Sequence, residues 1–152
     1  MIITQAVYNK IDSTIGSLTP ECYGVLGRKN DVVTEYIFCG SSHEKLCLID
    51  AQFINSRIAD WEDLGIQFAG IVHSHPYRGG YLSAGDKRYI MKLAEINNQL
   101  LRDYQLYFPI ALPSDVMHSF VMVGYKLVHC NGESIICHDD IYIEGGEIIE
   151  EL

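Results

Sequence analysis

The sequence is organised around a stretch of sixteen residues near its middle. It reads Ile71-Val72-His73-Ser74-His75-Pro76-Tyr77-Arg78-Gly79-Gly80-Tyr81-Leu82-Ser83-Ala84-Gly85-Asp86. Its first residues continue an almost wholly apolar run that begins at Phe68, which is typical of a strand buried on both faces. Two glycines then indicate a loop, and helical spacing starts at Ala84. The stretch therefore predicts a buried strand, a loop and a helix in direct succession.

Two histidines separated by one residue end the predicted strand. Because alternate side chains of a strand point to the same face, His73 and His75 can reach one ion together. Neutral imidazole is the commonest protein ligand for zinc, and Asp86 offers a third ligand from the start of the helix. Two histidines and one aspartate leave a fourth tetrahedral position for water, as in catalytic zinc sites. Ser74 should point to the opposite face, where we expect it to pack.

Ser83 and Asp86 also have a purely structural interpretation. The spacing Ser-x-x-Asp matches a capping box at a helix N-terminus, with aspartate in place of the usual glutamate. Such a cap would fix the carboxylate in the first helical turn, so it is compatible with metal binding. Taken alone, two strand histidines equally fit packing or solvent exposure, and the metal-site hypothesis depends on the joint pattern.

Helical and strand-like segments alternate along the rest of the chain. An apolar residue every fourth position (Ile3, Val7, Ile11, Ile15) predicts an opening helix that ends near Gly16. Strands are predicted over residues 23–28 and 32–39, with a polar turn at 29–31. Helices are predicted over 53–64, ending at Gly65, and from 84 to about 101. From residue 106 onward short strands alternate with turns, including an Asn131-Gly132 hairpin turn. Interleaved elements favour one mixed sheet with helices packed on it.

Composition restricts the class of protein. The chain has 152 residues, a formal net charge of -9, 48% hydrophobic and 20% charged residues, which excludes a disordered chain. No cluster of Lys and Arg suits a nucleic-acid partner. Five scattered cysteines do not resemble a disulfide framework, and neither a secretory leader nor a membrane span is visible. We therefore expect a cytoplasmic protein. The segment 139–152 carries six carboxylates and no Lys or Arg, and we expect a solvated tail.

The pattern His73-x-His75, seven residues, Ser83-x-x-Asp86 closely resembles the signature of the JAMM (or MPN-plus) zinc metalloproteases. That family adds an upstream glutamate in a Glu-x-x-Gly context that opens a strand. Here the corresponding stretch is Pro20-Glu21-Cys22-Tyr23-Gly24-Val25-Leu26-Gly27. The resemblance covers residues 1–125 in the order of elements, with its motifs confined to 20–27 and 71–86. Leu82 precedes Ser83 at a position where many members of the family have proline. No long insertion lies between Pro76 and Ser83, so the sequence resembles the compact prokaryotic members of the family.

The resemblance implies a role for each matching residue. It implies one zinc ion per chain, with three protein ligands: His73, His75 and Asp86. Glu21 would act as general base on the zinc-bound water and return the proton to the leaving amine. Ser83 would donate a hydrogen bond to the developing oxyanion. Independently of the resemblance, Tyr77 and Arg78 lie on the predicted loop between the ligands, which would border a substrate cleft, and we expect them to contact substrate.

The resemblance also implies a fold and an activity. The fold is a three-layer α/β/α arrangement with a mixed central sheet, similar to cytidine deaminases, over residues 1–138, followed by the acidic segment 139–152. The activity is hydrolysis of a peptide or isopeptide bond in the C-terminal tail of a small ubiquitin-like or sulfur-carrier-like protein. We expect no nucleic-acid or membrane partner. The alternatives are a non-catalytic MPN-type binding scaffold and a zinc amidase acting on a small amide or cell-wall peptide. A deaminase would need a Pro-Cys-x-x-Cys pair, which the sequence lacks.

Overall fold

A computed structural model describes residues 1–15, 21–41, 51–75, 79–96, 105–113 and 120–145. The helices in these ranges are α1 (Gln5–Ser13), α2 (Ala51–Asp63) and α3 (Ala84–Ile96). The strands are β1 (Ile2–Ile3), β2 (Cys22–Lys29), β3 (Val32–Ser41), β4 (Gln67–Ser74), β5 (Leu106–Tyr107), β6 (Ile110–Pro113), β7 (Phe120–Val123), β8 (Tyr125–Cys130), β9 (Glu133–His138) and β10 (Tyr142–Ile143). None of the helices in the described ranges has the length and apolar character needed to cross a bilayer.

The described strands form one mixed sheet. Its order is β10-β1-β3-β2-β4-β5-β8-β9, and β6 pairs with both β4 and β7 beside this path. β1 runs parallel to β10 and β3, whereas β2 is antiparallel to both β3 and β4. β4 in turn runs parallel to β5 and β6. The prediction of a mixed central sheet is confirmed.

Helices cover both faces of this sheet. Val7 and Ile11 of α1 pack in one apolar cluster, together with Leu26 of β2. Trp61 of α2 and Ile90 of α3 belong to a second cluster. The side chains of β2 alternate between the two clusters, so the clusters lie on opposite faces. The predicted three-layer α/β/α arrangement is confirmed.

The central strand β4 is buried on both faces, as its apolar sequence predicts. Ile71 and Val72 belong to opposite clusters, and both are buried. Gly70 has a φ of 139°, and a Cβ at this position would lie 1.8 Å from the carbonyl oxygen of Tyr107. Glycine therefore allows β4 and β5 to approach closely. This strand ends beside the residues on which the functional hypothesis depends.

The prediction for the N-terminus is wrong in one respect. Ile3 lies in β1, where it pairs with Val33, and α1 begins only after Thr4, whose hydroxyl accepts a hydrogen bond from the Val7 N–H at 3.2 Å. Ile3 and Ile15 are nevertheless fully buried in the same cluster as α1. The four-residue spacing therefore reports burial correctly, although the buried residues belong to a strand, a helix and the turn after it.

The remaining helix predictions hold in part. Trp61 is buried and Gly65 has a φ of 71°, as expected at a helix end. Leu64, however, is 66% exposed, because α2 ends at Asp63 before the apolar face is completed. α3 begins at Ala84 as predicted and is described as far as Ile96, and the predicted continuation over 97–101 lies outside the described residues.

Residues 139–145 belong to the fold and do not form the expected solvated tail. Tyr142 and Ile143 extend the sheet by pairing with β1, and Ile141 is fully buried. Asp139 accepts a hydrogen bond from the Met1 ammonium group and forms an ion pair with Lys126 at 3.4 Å. The acidic charge suggested solvation, but apolar residues between the carboxylates anchor this part of the segment. Residues 146–152 lie outside the described part of the chain, and the domain boundary at 138 stays a prediction.

We predict that Ile141→Ala lowers the free energy of unfolding by about 2–4 kcal/mol, because it leaves a cavity between the sheet and α1. Denaturant unfolding of the purified chain measures this change. Tyr142→Ala is the matched control, since its side chain is 38% exposed in the same segment and should matter less. Equal stabilities of the parent and the Ile141 variant would contradict the packing of this segment.

Candidate metal centre

Four side chains from three parts of the fold converge at one end of the central strands. Glu21 immediately precedes β2, His73 lies in β4, His75 follows β4, and Asp86 lies in the first turn of α3. One donor atom from each side chain lies within 4.8 Å of the others. The structure thus brings together the three predicted ligands and the predicted base.

The spacing of the donor atoms fits a single small cation. The Nε2 atoms of His73 and His75 are 2.8 Å apart, and Asp86 Oδ2 lies 3.3 Å from each of them. Ligands placed ~2.0–2.1 Å from a tetrahedral zinc ion are about 3.3 Å from one another. Glu21 Oε1 lies 3.7 Å from His75 Nε2. Two imidazoles and a carboxylate form a donor set that binds divalent transition metals such as zinc and iron, so the cluster can hold a metal ion.

Backbone pairing fixes both histidines. His73 lies opposite Tyr23 of β2 and Ile110 of β6, so main chain flanks it on both sides. His75 lies beyond the end of β4, but its N–H donates to the carbonyl oxygen of Ala111 at 3.0 Å. The two rings meet edge to face with centroids 4.6 Å apart. The prediction that alternation would bring these imidazoles to one face is confirmed.

A carbonyl group sets the tautomer of His75. Its Nδ1 lies 3.1 Å from the carbonyl oxygen of Gly79, which only accepts hydrogen bonds, so Nδ1 carries the proton and donates it. In the neutral ring the lone pair is then on Nε2, the atom that faces the cluster. This is the usual way in which proteins orient a histidine ligand.

Asp86 makes two hydrogen bonds with Ser83, which lies directly before α3. Its Oδ2 accepts the N–H of Ser83 at 2.8 Å, and its own N–H donates to Ser83 Oγ at 3.0 Å. This reciprocal pair is the predicted capping box. The same Oδ2 lies next to both imidazoles, so one carboxylate caps the N-terminus of α3 and also belongs to the cluster. Ser83 Oγ accepts in this pair, and its role toward an oxyanion stays a prediction.

Charge shifts the protonation of the cluster. Burial raises the pKa of Asp86, but hydrogen bonds from His73 and His75 outweigh it and hold that pKa well below its usual range. Burial also lowers the pKa of His75, yet the hydrogen bonds to Asp86 and Gly79 leave it raised overall. The carboxylate therefore stays ionised, as a metal ligand must be.

Ser74 makes contacts that the sequence did not predict. It points away from the histidines as expected, and its Oγ accepts the N–H of Cys22 at 2.8 Å in a buried position. The last regular pair of β2 and β4 at this end is Tyr23 opposite His73, next to Cys22 and Ser74. The Ser74 side chain therefore continues the pairing to the residue next to Glu21. The predicted packing role underestimated this residue, because its partner is 52 positions away in sequence.

Cys22 itself faces the opposite side of the sheet. Burial, together with the neighbouring Glu21 carboxylate, raises the pKa of its thiol. The thiol therefore stays protonated and is a poor ligand or nucleophile. Tyr77 and Arg78, the predicted substrate contacts, lie outside the described residues.

Comparison with known proteins supports the fold. No protein-family model matches the sequence, and no curated protein matches it. The solution structure of a protein from Salinibacter ruber (strain DSM 13855) is similar with a TM-score of 0.55 and 15% identity, covering 94% of this chain and 91% of that one. The crystal structure of a JAB1/MPN domain protein from Archaeoglobus fulgidus is similar with a TM-score of 0.47 and 19% identity, covering 99% and 95%. The first similarity, at 15% identity, shows a shared fold and nothing about function. The TM-score of the second, 0.47, is too low for any conclusion to be based on it.

We predict that the metal-free chain binds one zinc ion and that Asp86→Asn weakens this binding by more than about 100-fold. Loss of an outer partner alone typically costs about 10–100-fold, and loss of a ligand should exceed that. Chelator competition and elemental analysis measure affinity and stoichiometry. Asp60→Asn is the control, because the Asp60 side chain is 67% exposed on α2. Equal zinc affinity in the parent and the Asp86 variant would remove Asp86 from the ligand set.

Proposed function

We propose that this chain is a zinc-dependent metallopeptidase of the JAMM/MPN-plus type that hydrolyses a peptide or isopeptide bond. The observation that carries the proposal is the meeting of Glu21 with His73, His75 and Asp86 within 4.8 Å. A purely structural metal site is usually closed by four tightly bound ligands, whereas a hydrolytic site keeps one position for water and a base beside it. We assign the four side chains to the second arrangement, with Glu21 as the base and the other three as ligands.

His73, His75 and Asp86 would hold the ion. When bound, zinc would supply Lewis acidity and lower the pKa of a bound water toward ~7. Glu21 Oε1 lies farther from His75 Nε2 than Asp86 Oδ2 does, at 3.7 Å against 3.3 Å. This offset suits a carboxylate that accepts a proton from water beside the ligands. Glu21 would then return that proton to the leaving amine.

Ser83 is suited to stabilise the oxyanion. Its Oγ is anchored by the N–H of Asp86, which leaves the hydroxyl hydrogen for another acceptor. An oriented donor of this kind typically stabilises a transition state by about 3 kcal/mol. The anchor lies on the ligand itself, so donor and ion would keep a constant separation.

We propose the C-terminal tail of a small ubiquitin-like or sulfur-carrier-like protein as the substrate. A groove of about 620 Å³ supports this, since residues of α3 and β9 line it together with Tyr81 and Leu82, which directly precede Ser83. Within the described sheet β9 pairs only with β8, which leaves its outer edge available. An extended tail can add to such an edge by main-chain hydrogen bonds. Exposed apolar side chains of Tyr81, Met91 and Ile135 line the groove.

The test is cleavage of a panel of tail-extended ubiquitin-like carriers and small amides, with and without chelator. We predict that Glu21→Gln keeps the parent's zinc affinity but lowers turnover by about 10²–10⁴-fold, because the amide cannot accept the proton. Glu133→Gln, an exposed carboxylate in β9, is the control. Equal turnover by the parent and the Glu21 variant would show that Glu21 is not the base.

The same panel separates the alternatives. Cleavage of small amides without any carrier would favour the amidase. Zinc binding by the parent without hydrolysis of either class would favour a non-catalytic scaffold and overturn the proposed activity.

We predict that Ser74→Ala lowers kcat about tenfold, because the residue next to Glu21 loses its buried partner, as expected when a base moves slightly. Zinc affinity should stay close to that of the parent, since His73 and His75 keep their backbone partners. Ser13→Ala is the control, because its Oγ donates to the Lys10 carbonyl in an exposed position. If the Ser74 variant lost zinc affinity and turnover in parallel, Ser74 would act on the ligands instead of the base.

A further inference from the structure

Residues 79–80, shortly before Ser83, offer two consecutive carbonyl groups as acceptors. Gly79 O accepts the Nδ1 proton of His75, and Gly80 O accepts the hydroxyl proton of Tyr125 at 2.5 Å. The two carbonyl groups belong to successive planar peptide units that meet at the Cα atom of Gly80, so holding the second unit limits the positions open to the first. The acceptor that sets the His75 tautomer is therefore attached to a backbone segment held by β8.

Tyr125 is well placed to hold this segment. Its side chain is 7% exposed and belongs to the apolar cluster under α2 and α3. Its ring lies 4.6 Å from that of His138, which is its cross-strand partner in β9. A buried tyrosine hydroxyl needs a hydrogen-bond partner, and Gly80 O provides one. The β8–β9 hairpin thus fixes the position of the hydroxyl.

Packing supports the same segment from a second direction. A Cβ on Gly80 would lie 2.6 Å from Cγ2 of Val123 and 3.2 Å from Cδ1 of Leu112. Glycine lets the loop lie directly on β6 and β7, and any side chain would push it away. The hydrogen bond from Tyr125 and the contact with Val123 therefore both restrain Gly80, the residue next to the carbonyl group that His75 contacts.

We propose that Tyr125 is a positioning residue for the metal site, acting on His75 through the backbone of Gly80 and Gly79. The proposal rests on the metal site of the proposed function and does not require hydrolysis. Tyr125 makes no contact with the ion in this scheme. It holds the carbonyl group that keeps the His75 Nε2 lone pair directed at the ligand cluster.

The test uses the full chain loaded with Zn²⁺ or, for spectroscopy, with Co²⁺. We expect Tyr125→Phe to weaken Zn²⁺ binding about tenfold, as is typical when a partner behind a ligand is lost. The visible absorption bands of the Co²⁺ form should also shift, because the ligand geometry relaxes. Gly80→Ala should produce the same two changes by displacing the same loop without altering Tyr125.

Tyr36→Phe is the matched control. Tyr36 is 6% exposed and its hydroxyl bonds Thr14 on the opposite face of the sheet. It loses a buried hydroxyl contact of the same kind, so it reproduces any general loss of stability without touching the loop. We expect it to keep the parent's Zn²⁺ affinity and Co²⁺ spectrum.

The outcomes separate the two proposals. A Tyr125→Phe variant with the parent's Zn²⁺ affinity and Co²⁺ spectrum would overturn the positioning role and leave the metal site intact. Equal losses in the Tyr125 and Tyr36 variants would also overturn it, since the effect would be one of stability. A parent chain that binds neither metal would overturn the metal site and the positioning role together. A parent that binds metal but hydrolyses nothing would overturn only the proposed activity.

Discussion

The antiparallel pairing of β2 with β4 is the constraint on which the candidate site depends. Its register places Tyr23 opposite His73, so the residue two positions before Tyr23 falls beside His75. A slip of one residue would turn Glu21 to the opposite face of the sheet, and a slip of two would move it by about 6.6 Å. The pairing of β2 with β4 shifts its register between Leu26 and Gly27. A Cβ on Gly27 would collide with Trp61, so this part of β2 packs closely against α2. The position of the proposed base therefore depends on packing at the far end of the strand.

At the start of α3 the Asp86 carboxylate both caps the helix and belongs to the candidate metal site. Asp86 caps the helix and faces both imidazoles with one oxygen, so the helix start cannot shift without moving a proposed ligand. A capping residue is commonly worth about 1 kcal/mol to a protein, and here that stabilisation also orders a donor. Burial acts against both charged forms, but the hydrogen bond between His75 and Asp86 raises the pKa of His75 and lowers that of Asp86. A bound cation would replace the His75 proton without requiring a new arrangement of side chains.

The sequence predicts what short-range patterns encode. The apolar run before His73, the capping box at Ser83 and the Asn131-Gly132 turn are all local signals, and the turn has the two positive φ angles, 52° and 80°, that such a pair favours. The errors arise where pairing or packing joins distant segments. Ile3 became a strand residue because β3 offers a partner, and residues 139–145 joined the sheet because β1 does. Arg28 is 1% exposed and lies 5.5 Å from the Tyr107 ring, a burial that its charge argues against in sequence.

Residues that orient the cluster were harder to predict than the cluster itself. His73, His75 and Asp86 lie within one short stretch, whereas Ser74 and Tyr125 act on groups 52 and 45 positions away. These supports also differ for each functional group: Ser74 steadies the approach to Glu21, Ser83 holds Asp86, and the Gly79 carbonyl group holds His75. Because the supports do not share a hydrogen bond, the proposed base and the proposed ligands can each be perturbed through a separate support, although the four side chains lie close enough for their effects to couple. The proposed hydrolysis would then be separable from the proposed metal binding, and a chain that keeps the proposed ligands while losing the support of Glu21 would still bind an ion.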